Sequence, residues 1–396
     1  MSKKIKIGVN GWFFCKRYTG IGRYSLNVFP EMARLFPEFE FHIAIPHQMD
    51  EEVDKSLRYQ ENLKFELLPE NPHLKMISPG LSKCCWEFGQ LRNYFQREKV
   101  QLVHSPYPYL FRKIKGVPTI VTVHDTIPWT DKAYRNRGFL SGRYNKATLR
   151  KSLQADFLLT VSEQSKKEIL ELDGFNEKNL KVVYNASEFN ETPEHSKTET
   201  AALLEKIGLK KEDRFLFYMG GFDRRKNVQR LLNIFLHKVA PESELKLVLG
   251  GANVLDNSLF AKLEWDEDYG RGRVISTGFL ANSELIMLYR AAWAYCTLTT
   301  REGFNLPLLE ALTLGCPALV SDLPVHHEVA EDIPVFLDLE QKDNQIAETI
   351  LNLYNDPESY QQLKQRTGDF ARTADRKYSW QKAAREIGEV YKTLIK

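Results

Sequence analysis

Short apolar runs of strand length alternate with segments of helical period almost from one end of the chain to the other. This pattern restricts the fold more than any other feature. Near-continuous apolar strands must be covered on both faces, and the intervening helices supply the cover. The expectation is α/β with parallel sheets. Strand candidates in the first half are Ile5–Val9, Phe41–Ile45, Lys64–Leu68, Leu102–His104, Thr119–His124, Phe157–Val161 and Lys181–Tyr184. Helix candidates between them include Arg23–Phe36, Trp86–Glu98, Ser141–Gln154 and Glu163–Leu172, with Pro30 expected to kink the first or bound it.

From Ser187 to about Thr200 the chain turns polar and reads as a linker. The rhythm then restarts with Phe215–Met219, Leu245–Leu249, Val274–Thr277, Ala294–Leu298 and Ala318–Val320, and it ends in an amphipathic pattern, Trp380–Ile395. The expected organisation is one domain over 1–190, a second over 201–375, and a helix over 376–396 packing back toward the first. Ligands of doubly wound sheets sit at the carboxyl ends of the strands, which predicts a cleft between the two domains.

Bulk properties agree and exclude several classes. A chain of 396 residues suits two cores, and 43% apolar with 27% charged residues excludes disorder and collagen-like structure. A net charge of +3 gives no reason to expect nucleic acid. The cysteines, Cys15, Cys84, Cys85, Cys296 and Cys316, include no C-x-x-C pair and read as reduced thiols of the cytosol. The start of the sequence has no signal-peptide pattern, and no apolar run reaches membrane-span length. The expected location is cytoplasmic, with membrane contact confined to the periphery of the inner face.

The segment with most chemical content runs Arg301-Glu302-Gly303-Phe304-Asn305-Leu306-Pro307-Leu308-Leu309-Glu310-Ala311 and stops at Gly315-Cys316-Pro317. Pro307 suits a first helical turn and Gly315 a helix end. Glu302 then lies on a loop after a strand and Glu310 on the helix, with free backbone N–H groups at the helix start able to receive an anion.

Here the chain resembles the retaining glycosyltransferases of family 4, the two-Rossmann-domain (GT-B) type that includes bacterial mannosyltransferases and sucrose-phosphate synthases. Glu302 and Glu310 match that family's E-x7-E element. Thr19-Gly20-Ile21-Gly22-Arg23-Tyr24 looks like its N-terminal glycine loop, and Val123-His124-Asp125 like its His-Asp strand end. Gly220-Gly221-Phe222-Asp223-Arg224-Arg225-Lys226-Asn227 looks like its phosphate-binding turn. Thr277-Gly278-Phe279-Leu280 with Glu284-Leu285 and Leu288-Tyr289-Arg290 looks like its base-binding stretch.

The resemblance implies transfer of a sugar from a nucleotide-sugar donor to a glycan or lipid-linked acceptor. Arg225 and Lys226 would neutralise the diphosphate, with the backbones of Gly20 and Gly22 approaching it. Glu310 would take the ribose hydroxyls, and Glu302 would lie beside the sugar ring. His124 would orient the reacting centre. Leu280, Phe304, Asn305 and Leu306 would line the donor site, and Ser162 would support it from behind. Gly221 stands where many relatives carry arginine, and Asn305 where they carry glycine. With lysine and arginine available, no metal and no other cofactor is expected.

GDP-mannose is the first donor reading and a UDP-sugar the next. A glycosidase would use Glu302 and Glu310 as a carboxylate pair, but a helix-borne Glu310 suits ribose better. An epimerase of the same fold and a non-catalytic binding module are the other readings; retention of Glu302, Glu310 and Lys226 favours activity. From Lys132 to Lys167 the chain also holds Arg135, Arg137, Arg143, Lys146, Arg150, Lys151 and Lys166 among Trp129, Tyr134, Phe139 and Tyr144. That stretch reads either as a solvated face or as a patch for an anionic membrane.

Overall fold

The computed structural model describes residues 4–395 apart from 58, 133–138, 190, 191, 193, 194 and 252–271, and the side chains of 139–141. The chain divides into two compact units, Met1–Ala186 with Tyr378–Lys396, and Ser187–Lys377.

The first unit is built on seven parallel strands: β1 (Ile5–Asn10), β2 (Phe39–Ile45), β3 (Leu63–Leu67), β4 (Leu102–Ser105), β5 (Thr119–Val123), β6 (Phe157–Thr160) and β7 (Leu180–Val182). Their order is β3-β2-β1-β4-β5-β6-β7, so the winding reverses between β1 and β4. The central strands are buried along most of their length, as both-face coverage requires. The helix Gly20–Leu35 does not end at Pro30. Phe29, Met32 and Ala33 on either side of the proline are buried, and their packing outweighs one missing hydrogen bond. The helix Trp380–Leu394 lies against it. Gly388 permits the approach, since a Cβ there would come within 2.2 Å of the Phe36 ring. Beneath it, His104 bonds Tyr391 Oη through Nδ1 (2.7 Å) and Thr122 Oγ1 through Nε2 (2.8 Å).

The second unit carries six parallel strands: β8 (Phe215–Met219), β9 (Lys246–Gly250), β10 (Val274–Gly278), β11 (Ala294–Thr297), β12 (Ala318–Ser321) and β13 (Val335–Leu337). The order β10-β9-β8-β11-β12-β13 places the reversal between β8 and β11. The core on one face joins Leu216, Leu247 and Leu249 to Leu231, Phe235, Trp293 and Ile350. The polar stretch after Ala186 is not an open linker throughout. Ser187 and Phe189 are buried, and Ser196 forms a capping box with Glu199 at the start of the helix Lys197–Lys206.

The aromatic residues of the basic stretch divide. Tyr134, Arg135, Arg137 and the side chain of Phe139 lie outside the described residues. Trp129 is buried in the first core, and the Tyr144 hydroxyl donates to the buried Glu87 carboxylate at 3.0 Å. Neither ring is presented to a surface ligand.

Candidate active site

In a doubly wound sheet the crevice opens where neighbouring strands lead to opposite faces. In the second unit that place is the carboxyl end of β8 and β11, and the two loops there carry the charged residues of the sequence motifs. After β8 the chain turns through Gly220 and Gly221, whose carbonyl accepts the Tyr218 hydroxyl at 2.5 Å. It then winds one tight turn, Arg224–Lys226, ended by Asn227 in the left-handed region (φ 54°). After β11, Thr299 and Thr300 bond the Arg225 carbonyl and tie the two loops together.

This scaffold gathers three charges. Glu302 Oε2 accepts from Arg225 Nη1 and Oε1 from Lys226 Nζ, both at 2.6 Å, while Thr299 Oγ1 donates to Oε1 at 3.0 Å. The Glu302 side chain is 7% exposed, Lys226 12% and Arg225 19%. Burial alone would raise the Glu302 pKa, but the two cations and their hydrogen bonds outweigh it and hold the carboxyl at about 2. Asp223 Oδ1 also lies 3.3 Å from Arg225 Nε, so two cations stand against two carboxylates, and the cations are free for an anionic ligand only as far as it displaces these acids.

Beyond Glu302 the loop enters the helix Leu306–Thr313. Asn305 stands at its N-cap in the left-handed region (φ 71°), a conformation that glycine adopts with least strain. A histidine that sequence reading passed over holds it there. His326, fully buried on the helix Pro324–Ala330, has Nδ1 2.7 Å from the Ser321 carbonyl and Nε2 2.9 Å from Asn305 Nδ2. A carbonyl only accepts, so Nδ1 carries the proton; burial lowers the His326 pKa, so Nε2 is the acceptor. Asn305 therefore donates its amide N–H to the ring, and its Oδ1 has no hydrogen-bond partner among the described residues. The only clue in the sequence was a position just past the strand next to β11.

Glu310 is buried on the same helix, with Tyr289 Oη 3.3 Å from its carboxylate. Leu280, Phe304 and Leu306 are buried apolar side chains. Arg225, Lys226, Glu302, Asn305 and Glu310 all occupy this end of the second sheet. Among the described residues no three His, Cys, Asp or Glu side chains gather as a metal-binding group.

Gly20, Gly22 and His124 belong to the first unit. Thr19 caps the helix Gly20–Leu35, and its Oγ1 accepts the Gly22 N–H at 3.0 Å. A Cβ on Gly22 would stand 2.0 Å from the Lys16 carbonyl, so close packing accounts for this glycine and its amide is already engaged. His124, just past β5, has Nε2 2.9 Å from the Pro106 carbonyl, to which it donates, leaving Nδ1 as the acceptor nitrogen. Burial lowers its pKa to about 4, so the ring is neutral at physiological pH. Ser162 caps the helix Glu163–Leu170 and is fully buried, a structural role.

Two family models cover most of the chain: Glycosyltransferase Family 4 over residues 18–188 and Glycosyl transferases group 1 over residues 200–369. The chain is a family 4 glycosyltransferase. O-antigen chain mannosyltransferase B of Escherichia coli is 25% identical to it over 95% of this chain and 96% of that one. The structure of HepE from Anabaena in complex with UDP and glucose has a TM-score of 0.70 at 14% identity, covering 98% of this chain and 100% of that one. WaaG, a glycosyltransferase involved in lipopolysaccharide biosynthesis, gives 0.71 at 16% identity, over 96% and 98%. The likeness to these structures is one of fold, two parallel Rossmann-like sheets of the GT-B type. A transferase and two such sheets are what the sequence motifs implied.

Proposed function

We propose that this glycosyltransferase moves mannose from GDP-mannose to a hydroxyl of a growing polysaccharide or lipid-linked glycan, with retention at the anomeric carbon and without a metal. One observation carries the site assignment: the buried Glu302 carboxylate between Arg225 and Lys226 at the switch point of the second sheet. The donor diphosphate engages Arg225 and Lys226, drawing them partly from Glu302. The released carboxylate then faces the sugar, where it stabilises the positive charge that grows as the phosphate leaves. Glu310, whose carboxylate lies on the first turns of the adjoining helix, binds the ribose. The acceptor hydroxyl attacks the face the phosphate leaves, and the departing phosphate takes its proton.

The choice of mannose and of a polysaccharide product draws support from the E. coli O-antigen mannosyltransferase, similar over nearly its whole length. A UDP-sugar is the second reading, favoured by the fold shared with a structure that binds UDP and glucose. A thermal-shift panel of GDP-, UDP- and ADP-sugars separates them. Donor at a hundred times its dissociation constant raises stability by about 2.7 kcal/mol, and the proposal requires GDP-mannose to give the largest shift. Unchanged turnover in EDTA is expected as well; activity lost to chelator and restored by magnesium or manganese would refute the metal-free reading.

A further inference from the structure

Asn305 is unfavourable twice over. Its backbone stands in the left-handed region, and its Oδ1 is buried without a hydrogen-bond partner among the described residues, the whole residue being 5% exposed. A glycine would meet the backbone demand and bring no orphaned oxygen. An asparagine at a helix N-cap ordinarily turns its side-chain oxygen to the amide of the second or third helical residue. Here the second residue is Pro307, which has no N–H, and the Leu308 N–H goes to the Asn305 backbone carbonyl at 3.1 Å. The side-chain oxygen is left outside the helix's own hydrogen bonding.

The amide is nonetheless held in one orientation. Asn305 Nδ2 donates to His326 Nε2 at 2.9 Å, and the Ser321 carbonyl, 2.7 Å from Nδ1, fixes the tautomer that accepts it. His326 and Ser321 are both fully buried, so neither ring nor carbonyl has room to turn. With its nitrogen pinned the planar amide cannot flip, and its oxygen points away from the imidazole. Glu302 and Lys226 both act electrostatically on that same ring, so the amide belongs to the neighbourhood of the site charges. A neutral acceptor that is buried, oriented and unpaired suits a ligand group that donates. In a nucleotide-sugar the ionised diphosphate only accepts, the ribose falls to Glu310, and the hexosyl ring brings hydroxyls beside Glu302.

We propose that Asn305 is a specificity-determining residue whose Oδ1 accepts one hydroxyl of the donor's hexosyl group, with His326 as the positioning residue that keeps the acceptor in place. The inference rests on the donor site proposed above and narrows it. The enzyme takes hexoses that carry a hydroxyl at one ring position in one configuration, and it rejects donors deoxygenated there, because the buried oxygen would again be left unpaired.

Calorimetry on the full chain tests this without acceptor present, using the intact donor, its monodeoxy analogues and the nucleoside diphosphate alone. With the wild type, one deoxy analogue should bind about tenfold more weakly than the intact donor. Asn305→Gly, which relieves the backbone and removes the oxygen, should bind that analogue and the intact donor alike. His326→Leu keeps the oxygen but frees the amide, and its discrimination should fall between the two. Melting curves check that both variants fold, and either one alone reads the coupling. The proposal is overturned if no deoxy position loses its discrimination in the variants. It is overturned equally if Asn305→Gly weakens nucleoside diphosphate as much as intact donor, which would assign the residue to the phosphate loop. The parent donor is whichever of GDP-mannose and UDP-glucose the thermal-shift panel selects. Selection of UDP-glucose refutes the choice of GDP-mannose and leaves the role of Asn305 to be judged on that sugar.

Discussion

Glu302 accepts two cations at 2.6 Å and so acts as their counter-ion until an anionic ligand arrives. Glu302→Gln keeps the shape and removes that competition. Turnover should fall by about a hundredfold or more, the scale for losing an electrostatic stabiliser of a transition state. Nucleoside diphosphate should bind more tightly, by up to about tenfold, for one charged hydrogen bond no longer contested. Calorimetry and initial rates check the pair, and weaker binding would show that the carboxylate does not hold the cations back. His326→Leu leaves the Asn305 amide without its ring acceptor. That should cost about 1–3 kcal/mol of stability, the range for an orphaned buried donor, and relax discrimination among donor sugars. Urea denaturation and competing donors measure the two effects. The charged residues were legible in the sequence because each sits in a loop whose glycines and prolines announce it. His326 was not, because its partner Asn305 is 21 positions away and only the adjacency of β11 and β12 brings them together.

At the scale of elements, long apolar segments were read correctly and their ends less so. β13, Val335–Leu337, is three residues long and half-buried at a sheet edge, too short for a periodicity to register. The polar run after Ser187 misled because one aromatic residue, Phe189, is enough to fasten it and Ser196 caps a helix within it. The burial of Trp129 and Tyr144 was equally hidden, since a ring among lysines reads the same whichever way it points. The fit of the helix Trp380–Leu394 on Gly20–Leu35 gives a direct test. Gly388→Val drives a side chain into Phe36 and should cost about 1–3 kcal/mol or more, as overpacking does. Gly368→Ala, where the nearest atom to the new carbon is the Arg372 guanidinium at 3.8 Å, should be neutral or gain up to about 1 kcal/mol. Chemical denaturation of both variants distinguishes a packed interface from a loose one.

For the molecule as a whole, acid should reach the first unit before the second. Burial holds His104 at about 3, helped by the nearby His124, and holds His124 at about 4, whereas an unfolded imidazole titrates near 6.5. The unfolded chain thus binds protons that the folded one refuses. The stability these rings contribute is complete above about pH 6.5 and drains away as pH falls toward 4 and then 3. The second unit holds one such ring, His326, whose pKa burial also lowers, against two in the first, and Glu302, at about 2 when folded against an ordinary 4.5, adds its loss only below about pH 4.5. Hydrogen exchange across a pH series should show Ile5–Val182 losing protection at a higher pH than Phe215–Leu337; the reverse order would contradict the histidine assignment. Every strand but β13 could be drawn from the alternation of apolar runs, and a last helix over 376–396 was expected to pack back toward the first domain. The first unit is completed only by Tyr378–Lys396, after the whole of the second has intervened. On a ribosome, then, β1 to β7 emerge long before the helix that covers Phe36 and His104, while the second unit can fold as soon as it is clear. A chain that stops just short of Tyr378 therefore carries a finished second unit attached to an open, sticky first one, a product that chaperones and proteases can recognise by its exposed aromatic face.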